Sequence, residues 1–462
     1  MRIALLIFFC LASLLTFSQN SLLPEDVSTI KTGFDNSKPA DRALLNAVSG
    51  NSIIKLATVR SITGKEQHQF SDKVVVKGIT DQKSSGRCWM FTGLNTLRPQ
   101  IIEAHSLQNF EFSTNYLFFW DQLEKANMFL EGIIATAGLP LNDRKVEWLL
   151  KEPIGDGGVW NSWANLIVKY GVVPKHVMPE TYHSENTAQL NQFLKRKLRE
   201  QALMLRDECN SGNSEEQLHA LKLEMLKEIY RILVLCLGEP PEKFEYGFPD
   251  KNGKVKEMVE YTPLSFFQKN FKEFDLTNFV MLMNDPTREF YKLYEIESDK
   301  NVVEGISWRY INLPADEIKK FAILSIKDNT PMYASCDVGK FRNNDDGTLD
   351  LNNYDFESLL GVPFSMSKKE RIESYDSGSS HAMLLIAVDI NRDGNPIKWQ
   401  FENSWGASSG YNGYLSFTDA WFSEYLFRLV VNKKYVGNDV LEVLKQEPII
   451  LPPWDPMFSQ DE

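Results

Sequence analysis

The segment Gln82-Lys83-Ser84-Ser85-Gly86-Arg87-Cys88-Trp89-Met90-Phe91-Thr92-Gly93-Leu94-Asn95-Thr96-Leu97-Arg98 constrains the rest of this chain more than any other. It reads as a loop running into a helix. Ser84, Ser85 and Gly86 break any preceding element and offer candidate N-caps. From Cys88 onward, Met90, Phe91, Leu94 and Leu97 recur at helical spacing, and Pro99 predicts that the helix ends or kinks there. The thiol of Cys88 therefore falls on the first turn of a helix. The partial positive charge of that helix end, with Arg87 beside it, favours a thiolate. Gln82, six residues upstream on a loop able to fold back over the sulfur, carries an amide donor suited to an oxyanion.

A cysteine in isolation is most often a small buried hydrophobe. Two distant segments argue for more. One is Ser379-Ser380-His381-Ala382-Met383-Leu384-Leu385-Ile386; the other is Glu402-Asn403-Ser404-Trp405-Gly406. Each sets a polar residue at the opening or close of a strand-like apolar run. Of the six histidines, His381 alone precedes an apolar strand followed by Asn-Ser-Trp. A cysteine, a far-off histidine and then an asparagine is the chain order of papain-like thiol hydrolases.

Taken together, Gln-Lys-Ser-Ser-Gly-Arg-Cys-Trp, His-Ala-Met and Glu-Asn-Ser-Trp-Gly resemble the bleomycin hydrolase family, the cysteine aminopeptidases also called aminopeptidase C. Further runs agree: Asp156-Gly157-Gly158, Lys169-Tyr170-Gly171-Val172-Val173-Pro174-Lys175, Cys336-Asp337-Val338-Gly339-Lys340, Trp421-Phe422-Ser423-Glu424-Tyr425 and Pro453-Trp454-Asp455-Pro456-Met457. The resemblance extends from about residue 50 to the C-terminus. The first motifs belong to any papain-like enzyme; the Cys-Asp-Val-Gly-Lys run and the Pro-Trp-Asp-Pro-Met tail point to this family in particular.

The resemblance implies an α+β papain-like cysteine peptidase fold, a helical half beside an antiparallel β-half, with a large helical insertion and a C-terminal arm. It implies an aminopeptidase acting on peptides without a cofactor or metal. Cys88 is then the nucleophile, His381 its proton acceptor and Asn403 the residue that fixes the imidazole tautomer. Gln82 and the Cys88 backbone N–H form the oxyanion hole, and Trp405 shields the His–Asn bond from water. Gly157 and Gly158 offer main-chain groups to an extended substrate, whose backbone pairing gives affinity without sequence choice. The terminal carboxylate, on Glu462, holds the substrate's free α-amine inside a homohexameric ring. Two departures stand out. Ser380 occupies a position where Thr is usual, a harmless exchange. The ending Phe458-Ser459-Gln460-Asp461-Glu462 is more polar and acidic than the small apolar ending of the family, which bears on substrate preference. The alternatives are a papain-like endopeptidase and a non-catalytic peptide-binding chamber; all four catalytic positions are intact, which speaks against the chamber.

Composition narrows the partners. A net charge of −12 over 462 residues argues against a general nucleic-acid channel, which needs a basic surface. The N-terminus reads as a secretory signal: Arg2, then the apolar Ile3–Leu15, too short to span a bilayer, then Thr16-Phe17-Ser18 as a cleavage site. The mature chain would begin at Gln19, carry no membrane span, and be periplasmic or secreted. Cys10 sits within the apolar run. The other cysteines, Cys88, Cys209, Cys236 and Cys336, make no disulfide framework, and Cys209 and Cys236 lie in helix-like sequence and read as free thiols. This suits the cytoplasmic habit of the resembled family, so the signal marks an intracellular type of enzyme that is exported.

In chain order, 1–18 is the signal and 19–183 holds an irregular arm, at 19–50, and the helical half. Short β-rich runs are expected at Asn51–Arg60 and Val74–Ile79, and core-facing helix at Thr114–Phe129. Residues 184–300 are the insertion, opening with two helices joined at Gly212-Asn213, the second started by a Ser214/Gln217 capping box. Residues 301–440 form the β-half, with a helix at 315–328 and strands at Met332–Asp337, His381–Asp389, Ile397–Glu402, Gly413–Phe417 and Leu426–Val431. Residues 441–462 are the arm. Asn343-Asn344-Asp345-Asp346-Gly347 is a turn; Phe356 stands where a calcium loop starting at Asp345 needs its Glu.

Overall fold

A computed structural model describes residues 21–65, 68–250, 252–255, 257–455 and 457. The chain forms two compact units. Among the described residues, the smaller comprises 21–61 together with 354–364. Its first part is helical, not irregular: helices cover Pro24–Ile30, Pro39–Ser49 and Ile53–Ala57. Pro24 and Pro39 open their helices, where the missing N–H has no partner to lose. The β-rich run expected from Ile53 and Ile54 is therefore a short helix, and both side chains are exposed. A short apolar run does not distinguish the two by periodicity. A bridge between Thr58 and Tyr354, with Asp355 N donating to Ala57 O at 2.8 Å, closes this unit.

In the larger unit, one sheet gathers twelve strands among the described residues. From one edge the order is Ile449–Leu451, Lys292–Ile296, Arg309–Asn312, Phe279–Met283, Leu426–Asn432, Met332–Cys336, His381–Ile390, Pro396–Glu402, Tyr414–Thr418, Thr348–Leu349 and Arg342–Asn343; Asp72–Lys73 also pairs with His381–Ile390. Most pairings are antiparallel, with three parallel contacts. The stretch 242–300 is thus not helical throughout, since Phe279–Met283 and Lys292–Ile296 belong to this sheet. The two helices before it, Ala188–Asn210 and Glu215–Leu237, follow the sequence, including the Ser214/Gln217 capping box.

The run Ala382–Val388 is apolar without alternation because both faces of its strand are covered. Helix Cys88–Ala104 packs on this strand, and so does helix Ala315–Lys327. One hydrophobic cluster joins the Cys88 helix to Thr114–Ala135, Trp160–Tyr170 and the two long helices; a second fills the sheet around Leu384, Phe401 and Leu429. Gly93 lets the Trp163 ring lie on the Cys88 helix, since a Cβ there would come within 2.4 Å of it.

The Cys88 helix runs through Pro99 to Ala104 without ending. Pro99 forfeits one backbone hydrogen bond, a cost of roughly 3 kcal/mol in a helix interior. Full burial of Leu97, Ile101 and Ile102 on the same helix outweighs it, at ~1.5–3 kcal/mol for each such side chain. Val74–Ile79 is not a strand either. Val74 N reaches Ile386 O at 2.8 Å, but Val75 N turns to Asn329 Oδ1 at 2.9 Å, and Gly78 adopts φ +82° against Asn109.

Candidate active site

The loop ahead of Cys88 is held from several sides. Gln82 N donates to Ser404 O at 2.8 Å and Ser84 N to Glu185 O at 2.9 Å. Gly86 N donates to Asp156 Oδ2 at 2.7 Å, and Trp89 Nε1 donates to Asp156 O at 2.8 Å. A Cβ on Gly86 would meet Asp156 Oδ1 at 2.5 Å, so this contact requires glycine. Arg87, fully buried, pairs with Glu180 at 2.9 Å, and its guanidinium lies 5.3 Å from the rings of Phe91 and Phe118. The serines do not cap the helix. Arg87 is the N-cap residue and makes no side-chain cap bond; Ser85 Oγ instead donates to Gln82 O at 2.6 Å.

That arrangement fixes the Gln82 amide. Its Oε1 accepts from Ser404 Oγ at 2.7 Å, and its Nε2 donates to Ser85 O at 2.6 Å. An amide nitrogen carries two hydrogens, so the second remains for another acceptor.

His381 opens its strand opposite Cys336. Its Nε2 lies 2.8 Å from Asn403 Oδ1, which also accepts from Ser404 N at 2.8 Å. The Trp405 ring lies over the imidazole, with centroids 4.6 Å apart. Burial pushes the imidazole down from 6.5 to about 4; the Asn403 hydrogen bond opposes the shift and the nearby Arg342 charge adds to it. The Asn403 contact takes Nε2, which leaves Nδ1 on the side of the ring away from Asn403.

Two contacts pin the Cys88 helix to the strands that carry His381 and Asn403. Thr92 Oγ1 donates to Ala382 O at 3.0 Å. Arg98 Nη2 donates to both carboxylate oxygens of Glu402 at 2.6 Å, and Arg98 Nη1 to Asn95 Oδ1 at 3.0 Å. Arg98 and Glu402 are both buried. The structure thus sets His381 against Asn403 and under Trp405, links Gln82 to Ser404 beside Asn403, and ties the helix that begins at Cys88 to the strands leading from His381 and to Asn403. Gly158 joins them through Trp89: a Cβ on it would stand 2.7 Å from that indole. At Gly157 a Cβ would meet nothing within 4 Å, and its carbonyl accepts from Lys125 Nζ at 2.6 Å. Glu462 lies outside the described residues. The arm leading to it is anchored: Ile449–Leu451 pairs with Lys292–Ile296, Arg144 covers the Trp454 ring at 4.6 Å, and Asp455 pairs with Arg288. Met457 is buried, and its carbonyl accepts from Arg428 Nη2 at 3.2 Å.

Sequence reasoning passed over three residues here. Arg98 and Asp156 act through partners far along the chain, and only the Glu402 and glycine motifs hinted at them. Arg342, whose guanidinium sits 4.6 Å over the Trp405 ring, gave no sequence signal.

Comparison with known proteins identifies the family. Residues 22–458 match the Peptidase C1-like family. The chain is 40% identical over 437 residues to human bleomycin hydrolase, covering 92% of this chain and 96% of that protein. It is 40% identical over 419 residues to aminopeptidase C of Streptococcus thermophilus, covering 90% and 94%. The crystal structure of PepW from Lactobacillus rhamnosis superposes with a TM-score of 0.91 at 39% identity, over 95% of this chain and 99% of that one. With the cysteine, histidine and asparagine motifs on one sheet-and-helix frame, the chain belongs to the Peptidase C1-like family and has its papain-like α+β fold.

Proposed function

We propose that this protein is a cysteine-type aminopeptidase that removes N-terminal residues from peptides by acyl transfer through Cys88, His381 and Asn403. The observation that carries the reading is the buried His381–Asn403 pair under Trp405, tied through Thr92 and Arg98 to the helix that begins at Cys88.

In this mechanism His381 Nδ1 takes the thiol proton and the Cys88 sulfur attacks the first peptide carbonyl. The oxyanion meets the second Nε2–H of Gln82 and the Cys88 N–H. Losing one such donor costs roughly 2.7–4 kcal/mol of transition-state stabilisation. The imidazolium passes its proton to the leaving nitrogen as the C–N bond breaks, leaving a thioester on Cys88. Water, deprotonated by the same imidazole, releases the acid and restores the thiol. Asn403 accepts at Nε2 throughout and keeps Nδ1 directed at the sulfur.

An open papain-like cleft accepts the middle of a chain, so cutting near an N-terminus needs something that closes the cleft and meets the amine. The C-terminal arm is suited to this: it is tied down as far as Met457, and the terminal carboxylate with Asp461 and Glu462 follows within five residues. A charge-assisted contact with the substrate ammonium is worth roughly 1.5–3 kcal/mol, about ten- to a hundredfold in selectivity. The test compares free-amine with N-blocked fluorogenic peptides, using the full chain and a chain lacking Phe458–Glu462. The full chain should favour the free amine by that factor. The truncated chain should lose the preference and admit N-blocked and internal bonds. Equal cleavage of both substrate types by the full chain would instead mean an endopeptidase. An unchanged preference after truncation would move the gate elsewhere in the cleft.

The same reading takes the assembly as a homohexamer, on the family resemblance, and the protein as exported, on Arg2 and the apolar Ile3–Leu15. Sizing of the purified protein tests the first. N-terminal sequencing of native protein tests the second: it should read from Gln19, and an intact Met1 would overturn export.

A further inference from the structure

Beyond the atoms that react, the His381 side of the site continues into a second polar feature. The Trp405 ring that covers the imidazole at 4.6 Å is itself covered, again at 4.6 Å, by the guanidinium of Arg342. Next to this stack is a cavity of about 150 Å³ lined by Arg342, Asn344, Trp405, Ser408 and Ser409. Sites that enclose a whole ligand run to about 300–1,000 Å³, and one water occupies about 30 Å³ of liquid. The cavity therefore suits one polar group rather than an entire peptide.

Its walls belong to the edge of the large sheet. Arg342 lies in the strand Arg342–Asn343, which pairs with Thr348–Leu349, itself paired with Tyr414–Thr418 at the sheet edge. The turn between the two short strands closes at Gly347, with φ +70°. A Cβ there would come within 2.7 Å of Tyr411 N, so this hairpin lies directly against the segment that follows Ser408 and Ser409. The lining combines a planar cation, two hydroxyls and a carboxamide, the donor set that recognises a carboxylate.

The chemistry of the reaction says which part of a substrate reaches it. The acyl half is held at Cys88 and Gln82. The leaving nitrogen must receive its proton from His381, so the leaving half departs across His381 and onward past Trp405. An extended chain advances ~3.3–3.6 Å per residue. The two stacking steps from imidazole to guanidinium, 4.6 Å each, are therefore spanned by at most two or three residues of the leaving half.

Resting on the aminopeptidase reading, we infer that Arg342, with Ser408, Ser409 and Asn344, forms a subsite for a carboxylate on the leaving side of the scissile bond. Two sources present that group within reach: the α-carboxylate of a short peptide, and the side chain of an acidic residue just after the bond. The subsite makes the protein a better hydrolase of short or acidic peptides than of neutral extended ones. The nearby imidazole gives a second reason for the pairing, because a carboxylate at Arg342 offsets a positive charge that otherwise disfavours the imidazolium.

The test uses the full chain and four substrates with the same N-terminal residue. They are a tripeptide with a free C-terminus, its C-terminal amide, the amide with Asp just after the scissile bond, and a neutral aminoacyl arylamide. The arylamide has no leaving-side carboxylate, so its hydrolysis reports the aminopeptidase reading separately. The wild-type protein should favour the free acid over the amide, or the Asp peptide over the neutral amide, by about ten- to a hundredfold in kcat/KM, mostly through KM. The first preference identifies the α-carboxylate as the ligand and the second the side chain. In Arg342→Gln whichever ratio was large should fall to near one, whatever happens to the arylamide rate. Arg342→Lys, which retains the charge, should keep several-fold of it and guards against a folding defect in the Gln variant. Neither preference in the wild type, or an unchanged ratio in Arg342→Gln, overturns the subsite. Loss of arylamide hydrolysis in the wild type would instead defeat the aminopeptidase reading.

Discussion

Cys88→Ala is expected to lower kcat by about a millionfold, the scale observed when a nucleophile is removed from a hydrolytic triad, while the protein keeps its fold. The thiol is on the first helical turn, where its packing is replaced at little cost by a methyl group. Trp89 and Met90, both fully buried, hold the turn in place without it. His381→Ala should be nearly as damaging, because nucleophile and base act as a unit and their losses do not add. Gln82→Ala should be milder, about a hundred- to a thousandfold, since it stabilises without reacting. Asn403→Ala should also retain more activity than the loss of either reacting group, because it orients the imidazole. Single-turnover hydrolysis together with the denaturant-unfolding midpoint separates chemistry from folding. A Cys88→Ala protein that hydrolyses peptides at the wild-type rate would end the mechanism. A thiol-reactive probe adds a check on the wild type. Burial pushes the Cys209 and Cys236 thiols up, and Cys336 well above the ordinary thiol range. Labelling should therefore concentrate at Cys88 and be blocked by peptide. A wild-type protein that binds peptide, takes no label and cuts nothing would be a non-catalytic chamber.

Much of this site was legible because the chemistry is written in short runs. Cys88, His381 and Asn403 each sit at the edge of an element, and the elements themselves follow the pattern: helix from Cys88, strand from His381, strand ending at Glu402. Elements failed to be legible where long-range packing decided the outcome. Pro99 predicts an end or a kink, and the helix does not end there but continues to Ala104, with buried side chains on either side of the proline. Ser84 and Ser85 have the chemistry of N-caps, yet their loop is shaped by Asp156, Glu185 and Ser404, which local sequence does not reveal. Val74–Ile79 has strand composition, but Asn329 intercepts the backbone that a ladder would need. Arg342 was invisible for a related reason: its meaning comes from Trp405, more than sixty positions away, and no motif links them.

Arg98→Met is expected to destabilise the protein by roughly 3–5 kcal/mol. Arg98 lies on the helix that starts at Cys88, and Glu402 immediately precedes Asn403. Their contact joins the two halves of the site where neither side chain reaches water. Burial pushes the Glu402 carboxyl up, and the Arg98 charge is the main force opposing that shift, with Lys73 a lesser one. Removing the guanidinium strands a carboxylate in the interior and also releases Asn95, whose own amide holds Thr80 at 3.0 Å on the loop leading to Gln82. The expected consequence is an unfolding midpoint shifted far down in denaturant and, at temperatures where the variant still folds, a lower kcat from a misaligned Asn403. Glu402→Leu should be similarly destabilising because it strands the cation. The double variant Arg98→Met/Glu402→Leu should recover a substantial part of the loss, since two apolar side chains of similar volume leave no uncompensated charge. That recovery distinguishes a paired buried charge from mere loss of packing. A single variant losing less than 1 kcal/mol, or a double variant whose loss equals the sum of the singles, would show that the pair does not hold the Cys88 helix to the Asn403 strand.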